Sequence, residues 1–236
     1  MKPSIILSAL LIFVALGCKD KEKIVEPVDE RPDDIFNIPL CETLNSSVMN
    51  LFTESQNNEE KYPELFSTTS QEKIVLTKES SVYISYVTEG AAIPSTLGYY
   101  TYTGNPPASG DDVEKKIIFP NVSSSVLTPG DSRYIGKFPA GTTIQFFLIV
   151  GGFNTANSTV NYSKPTFYTN FAWNLGGRRQ HVLFRESKCN NVLMGFEDKA
   201  IESGSDHDFN DIIFIISDND KNQASTSFDQ STMVAM

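Results

Sequence analysis

Thr143-Ile144-Gln145-Phe146-Phe147-Leu148-Ile149-Val150 is apolar at nearly every position. A short run of this kind, rich in β-branched and aromatic residues, suits a central strand covered on both faces. Ser81 to Thr88 reads differently, because Val82, Ile84 and Tyr86 alternate with Ser81, Tyr83 and Ser85. That is the period-two pattern of a half-exposed strand. Further runs lie at Lys73 to Thr77, Leu97 to Thr103, Lys115 to Phe119, Ser132 to Phe138, Thr166 to Thr169, Gln180 to Arg185, Asn191 to Phe196 and Asp211 to Ser217, with Gly, Pro, Asn and Asp between them. Many short strands at regular spacing predict an all-β fold, an antiparallel β-sandwich of jelly-roll type, over residues 71–217. Upstream, Leu44, Val48, Leu51 and Phe52 fall at helical spacing until Asn57, Asn58 and Pro63 break the pattern. Residues 36–70 are therefore expected to form a short helical and irregular segment. Residues 218–236 are polar enough to be a flexible, frayed tail.

The 236-residue chain carries 29 Asp and Glu against 19 Lys and Arg, a formal charge of −10. It lacks the basic footprint that neutralises phosphates, which argues against nucleic acid as a partner. With 40% hydrophobic residues and three cysteines it is neither globally disordered nor a disulfide-dense miniature fold. Lys2, the apolar run Ile5 to Leu16 and then Gly17-Cys18 read as a secretion signal over residues 1–17. The run is shorter than the roughly 20 residues that span a bilayer. Ala15-Leu16-Gly17-Cys18 resembles a bacterial lipobox, although Ala15 stands where Leu is usual. The resemblance implies that Cys18 is lipidated and begins the mature protein, which would sit on a membrane without a spanning helix. An ordinary signal peptide with a chance cysteine is the alternative. Residues 18–35, with Lys19-Asp20-Lys21-Glu22-Lys23, Pro27 and Pro32, read as an extended tether. The charged cluster resembles the surface-export signal of Bacteroidota lipoproteins. The expected location is the cell envelope, as an outer-membrane lipoprotein that faces outward, or else the cluster is a solvated linker.

The chemistry concentrates at Gly195-Phe196-Glu197-Asp198 and, after a loop, at Asp206-His207-Asp208-Phe209-Asn210-Asp211. From Glu197 to Asp220 the acids Glu197, Asp198, Glu202, Asp206, Asp208, Asp211, Asp218 and Asp220 face a single Lys199, an excess of seven negative charges. Such crowding needs a counterion or it opposes folding. Asp206, Asp208 and Asn210 at alternate positions can turn inward together, as Ca²⁺ with its six to eight oxygen ligands requires. The loop resembles the first half of an EF-hand but not the second, since Asp211 stands in place of Gly and Ser217 in place of the bidentate Glu. Glu197 and Asp198 can supply the remaining carboxylates across a hairpin. The expected metal ligands are thus Glu197, Asp198, Asp206, Asp208, Asn210 and Asp211, with Ca²⁺ as the cofactor; a solvated acidic turn is the alternative.

This closing motif resembles that of the LruC-type bacterial domain of unknown function (domain of unknown function 4114), found in secreted and lipid-anchored proteins. Val82 to Thr103, Ile118-Phe119-Pro120-Asn121-Val122 and Phe138-Pro139-Ala140-Gly141-Thr142 look like earlier parts of the same domain, whereas Ala92-Ile93-Pro94-Ser95 departs from it. The resemblance implies an extracytoplasmic β-sandwich with a calcium site and no established reaction. Ser205, His207 and Asp208 lie too close together in one loop to act as a nucleophilic triad, and no Gly-x-Ser-x-Gly elbow is present. His181 and His207 stand alone and no Cys-x-x-Cys occurs, which argues against zinc. A glycoside hydrolase remains as an alternative, because its two carboxylates need only the right separation.

Cys41 and Cys189 remain once Cys18 is set aside. They are either bridged, as an oxidising compartment permits, or separate buried thiols. Tyr83, Tyr86, Tyr99, Tyr100 and Tyr102 are either cross-strand core pairs or a face for stacking on sugars. The function expected is that of a lipid-anchored surface interaction or adhesion module with a structural calcium site and no catalytic residues. Its partner would be a cell-surface glycan or protein, a glycan-binding module is the alternative, and the oligomeric state is unknown.

Overall fold

The computed structural model describes residues 26–236; the expected signal peptide, Cys18 and the start of the tether lie outside the described residues. In chain order the elements are β1 (Phe36–Asn37), α1 (Leu44–Leu51), α2 (Asn58–Lys61), β2 (Ile74–Val75), β3 (Ser80–Glu89), β4 (Thr96–Thr103), β5 (Lys116–Phe119), β6 (Asp131–Phe138), β7 (Thr142–Ile149), β8 (Phe153–Asn154), β9 (Thr159–Val160), β10 (Thr166–Tyr168), β11 (His181–Glu186), β12 (Asn191–Phe196), β13 (Ile212–Ser217) and β14 (Val234–Ala235). Two sheets carry the fold. The first runs β1-β6-β3-β13-β12-β11-β14 and the second β10-β7-β4-β5, with β2 also paired to β7. Apart from the parallel pair β11 and β14, neighbours within the two sheets are antiparallel. The expected all-β sandwich is the fold observed.

Side chains alternate across a strand, and here that alternation feeds two separate cores. Ile212, Phe214 and Ile216 of β13, with Val82, Ile84 and Tyr86 of β3, meet Leu97 and Tyr99 of β4 and Ile144, Phe146 and Leu148 of β7 between the sheets. Ile213 and Ile215 point the other way, against Leu44, Val48, Phe52 and Leu65. The N-terminal helical segment thus closes the outer face of the first sheet, and a disulfide between Cys41 and Cys189, with Cα atoms 6.1 Å apart, pins it there. Both faces of β7 are covered as its run predicts, because Phe147 and Ile149 pack with Tyr100, Val160 and Tyr168 on the far side.

Three expectations need correction. In β3, Ser81 and Tyr83 are half-buried as the alternation predicts, but Ser85 is fully buried. Its hydroxyl donates to Asn222 Oδ1 at 3.1 Å and accepts from the Ser132 hydroxyl at 2.6 Å. Residues 218–236 do not fray. Phe228 enters the inter-sheet core and bridges Leu76, and β14 adds to the sheet. Asp218 Oδ2 gathers the amides of Thr226 and Ser227 at 2.7 Å each. A few apolar anchors and one capping carboxylate are enough to fix a mostly polar segment. The stretch 26–35 is also docked, through an Arg31–Asp131 ion pair, the Val28 amide donating to the Ser158 carbonyl at 2.7 Å, and Ile35 packed against the core.

Candidate metal centre

β12 and β13 are antiparallel with Phe196 opposite Ile212, so Glu197 and Asp198 leave one strand where Asp211 enters the other. Register alone brings the two acidic clusters together. The Asp198 amide donates to Asp211 Oδ2 at 2.7 Å. Between them the loop folds back flat on β12, and only a residue without a side chain fits beneath it. A Cβ at Gly195 would run into the Phe209 carbonyl oxygen. His207 and Phe209 take positive φ of 64° and 58°, which turns the loop sharply on either side of Asp208.

Glu197 is buried and organises this loop, its Oε1 accepting from the Phe209 amide at 2.7 Å and its Oε2 from the Ser205 hydroxyl at 2.5 Å. Asp208, also buried, accepts at Oδ2 from the Ser55 amide at 2.8 Å and from Asn210 Nδ2 at 2.9 Å, and at Oδ1 from the Asn210 amide at 3.1 Å. Asn210 Nδ2 also donates to the Phe52 carbonyl at 3.2 Å, and Asn58 Nδ2 to the Asp208 carbonyl at 2.6 Å. The N-terminal segment therefore grips the acidic loop through main-chain and amide hydrogen bonds. It also contributes a carboxylate. Oxygens of Glu54, Asp206 and Asp208 all lie within 4.8 Å of one another. Three oxygens at that upper limit would sit about 2.8 Å from a shared centre, slightly beyond the roughly 2.3–2.6 Å of a Ca²⁺–oxygen bond, so a small side-chain adjustment lets one ion touch all three.

The six expected ligands are thus brought to one place but not into one shell. Asp206 and Asp208 join Glu54, a residue the sequence reading missed. Glu197 is committed to the loop's hydrogen bonds, and Asn210 lies outside the triad, its Nδ2 donating to Asp208 and to the Phe52 carbonyl. Asp198 and Asp211 form a pair at the base of the hairpin. A polar cleft of about 210 Å³ lined by Glu54, Glu197, Asp198, Asp206 and Asp211 connects these groups, and Lys199 is the one basic side chain lining it. Burial pushes the Glu197 carboxyl up to about 7 and that of Asp211 up to about 8, the neighbouring carboxylates adding to both. Asp198 and Asp208 are raised as well, again chiefly by burial. A bound cation reverses this balance by favouring the ionised forms.

The competing chemistries find little geometry. The Ser205 hydroxyl donates to Glu197, while His207 Nδ1 lies 3.5 Å from Glu59, so serine and histidine do not form a nucleophile–base pair. His181 is fully buried with neither ring nitrogen partnered. Tyr86, Tyr99 and Tyr100 belong to the core, the last stacked on Trp173 with ring centroids 5.4 Å apart. A larger cleft of about 490 Å³, bounded by Val28, Asp33, Arg133 and Tyr162, shares no residue with the acidic one.

Residues 138–219, which contain β7 to β13 and the whole acidic loop, match the family model described as Domain of unknown function (DUF4114). That stretch of the chain is what is similar to the family. A comparison with curated proteins finds no match, and neither does a comparison with solved structures.

Proposed function

We propose that this protein is an extracytoplasmic interaction module of the LruC type whose N-terminal segment is clamped to its sandwich by a structural Ca²⁺ ion. The observation that carries the reading is the triad Glu54, Asp206 and Asp208, drawn from two segments about 150 residues apart with oxygens at a single ion's reach. Asp206 and Asp208 come from the hairpin loop, and Glu54 comes from the turn after α1. An ion held by all three would fix the relative position of the helical segment and the first sheet. The chemistry suits Ca²⁺ better than Mg²⁺, because all three donors are carboxylates on irregular backbone and Mg²⁺ demands near-ideal octahedral geometry. Gly17-Cys18 at the end of the apolar run supports a lipid anchor that holds this module on the outer membrane, where it would meet a cell-surface glycan or protein. Glu197, a carboxyl of the kind a glycosidase would use as its acid, has both oxygens engaged by its own loop, which favours a binding role over catalysis.

Calorimetric titration of the full chain with Ca²⁺ tests this. Wild type is expected to bind, and Glu54→Gln to bind at least about tenfold more weakly, since a charged ligand becomes a neutral one. Equal binding by both proteins removes Glu54 from the site, and an absence of binding by the wild type removes the calcium reading altogether.

A further inference from the structure

We propose that a second cation is held at the base of the β12–β13 hairpin by Asp198 and Asp211, apart from the ion at the triad. The proposal rests on the calcium reading above for the kind of ion and on a different observation for its place. Asp198 is only 3% exposed. Both its carboxylate oxygens are shielded from solvent and accept no hydrogen bond, although Asp198 is one of the residues lining the acidic cleft. Glu197 and Asp208 are equally buried, and each has donors on both of its oxygens. Asp198 alone among these buried acids has none. A buried carboxylate without partners is costly unless a cation or a proton answers it.

No basic side chain in the cleft pairs with it. Lys199 lines the same space, yet no ion pair joins it to Asp198. The amide of Asp198 faces Asp211 Oδ2, which sets the Asp211 carboxyl beside that of Asp198, where a proton shared between the two carboxyls is the alternative to a cation. The ion at the triad does not serve either. Among the described residues, the acids whose oxygens all lie within 4.8 Å of one another are Glu54, Asp206 and Asp208, and Asp198 is outside that group. An ion at bonding distance from all three is therefore not at bonding distance from Asp198 in this arrangement. Charge points the same way. Glu54, Glu197, Asp198, Asp206, Asp208 and Asp211 crowd one region with Lys199 as the basic lining residue, and one divalent ion leaves most of that charge uncompensated. Both oxygens of Asp198 are available to one hard cation, with Asp211 beside them and water completing the shell, as Ca²⁺ allows.

Native mass spectrometry of the full chain, released from detergent after equilibration with Ca²⁺, counts the ions directly. The wild type is expected to carry two, and Asp198→Asn and Glu54→Gln one each. Asp198→Asn is nearly isosteric and keeps the amide that bonds Asp211, and far-UV circular dichroism checks that it folds. A wild type carrying one ion overturns the second site while leaving the calcium reading intact; a wild type carrying none overturns both. An Asp198→Asn variant that folds and still carries two ions places the second cation elsewhere and refutes the assignment.

Discussion

Removing the Cys41–Cys189 bridge should lower stability steeply while leaving the native architecture in place. The bridge joins residues 148 positions apart, so it closes a loop that contains α1 to β11 and most of both cores. On the chain-entropy account a loop of that length restricts the unfolded state by about 5 kcal/mol. For a domain of this size each kcal/mol moves the melting temperature by roughly 2–4 °C, so the double variant Cys41→Ala/Cys189→Ala should melt about 10–20 °C lower. The folded form should change little, because Leu44, Val48, Phe52 and Leu65 are each no more than 1% exposed against the sheet and hold the segment without the bond. Thermal melts followed by circular dichroism, with wild type and variant at equal concentration, make the measurement. A drop of less than about 3 °C would refute the entropic reasoning. Loss of β signal at 20 °C would show instead that the apolar contacts do not suffice.

Three further outcomes follow from particular residues. In chelator the protein should lose stability as pH rises from about 6.5 to 8.5, because the Glu197 and Asp211 carboxyls sit at about 7 and about 8 in the native state against roughly 4 when unfolded. The native form then binds more protons than the unfolded one across that window, so raising pH favours unfolding. Ca²⁺ should flatten the profile, and a chelated protein whose melting temperature rises over the same range would contradict the burial argument. Below that window His181 acts in the opposite sense, since burial holds its pKa well below 6.5 and acid must charge it on unfolding. Gly195→Ala should cost about 1–3 kcal/mol and weaken Ca²⁺ binding as well, because the methyl displaces the Phe209 carbonyl and with it the loop bearing Asp206 and Asp208; unchanged affinity would mean that the loop moves as a unit. Metabolic labelling with a fatty-acid probe should mark wild type, and equal labelling of Cys18→Ser would exclude the lipid anchor.

The strands were legible because their signal is local. Ile212 to Ile216 and Asn191 to Phe196 each bury every residue, and unbroken apolar or β-branched runs mark such strands whatever surrounds them. Ser85 was misread because its burial depends on Asn222, far along the chain, crossing over it. The tail was misread for a related reason: Phe228 is one apolar residue in a polar stretch, and only the groove beside Leu76 gives it a place. Of the two-residue strands, β2 lies within the run Lys73 to Thr77, whereas β1, β8, β9 and β14 lie in no run long enough for periodicity to appear. At the acidic site the hairpin carboxylates were legible from alternate spacing and local charge. Glu54 was not, because Thr53-Glu54-Ser55 carries no pattern and its role comes from Ser55 and Asn58 docking on Asp208. Which of the expected ligands turn inward to the loop was equally hidden, since Glu197 and Asp198 are adjacent and identical in charge. The register of β12 on β13 and the fold of the loop above Gly195 decide that one accepts the loop's donors and the other is left with none.

The most direct test of the account is the melting temperature of the full chain with excess chelator and with saturating Ca²⁺ at neutral pH. An ion that binds the folded state and hardly the unfolded one stabilises by about 2.7 kcal/mol at 100 times its dissociation constant. In a domain of this size that is a rise of roughly 5–11 °C, and Asp208→Ala should abolish most of it. If millimolar Ca²⁺ leaves the wild-type melting temperature where chelator sets it, the acidic hairpin is a solvated turn and the protein is not a calcium-clamped module.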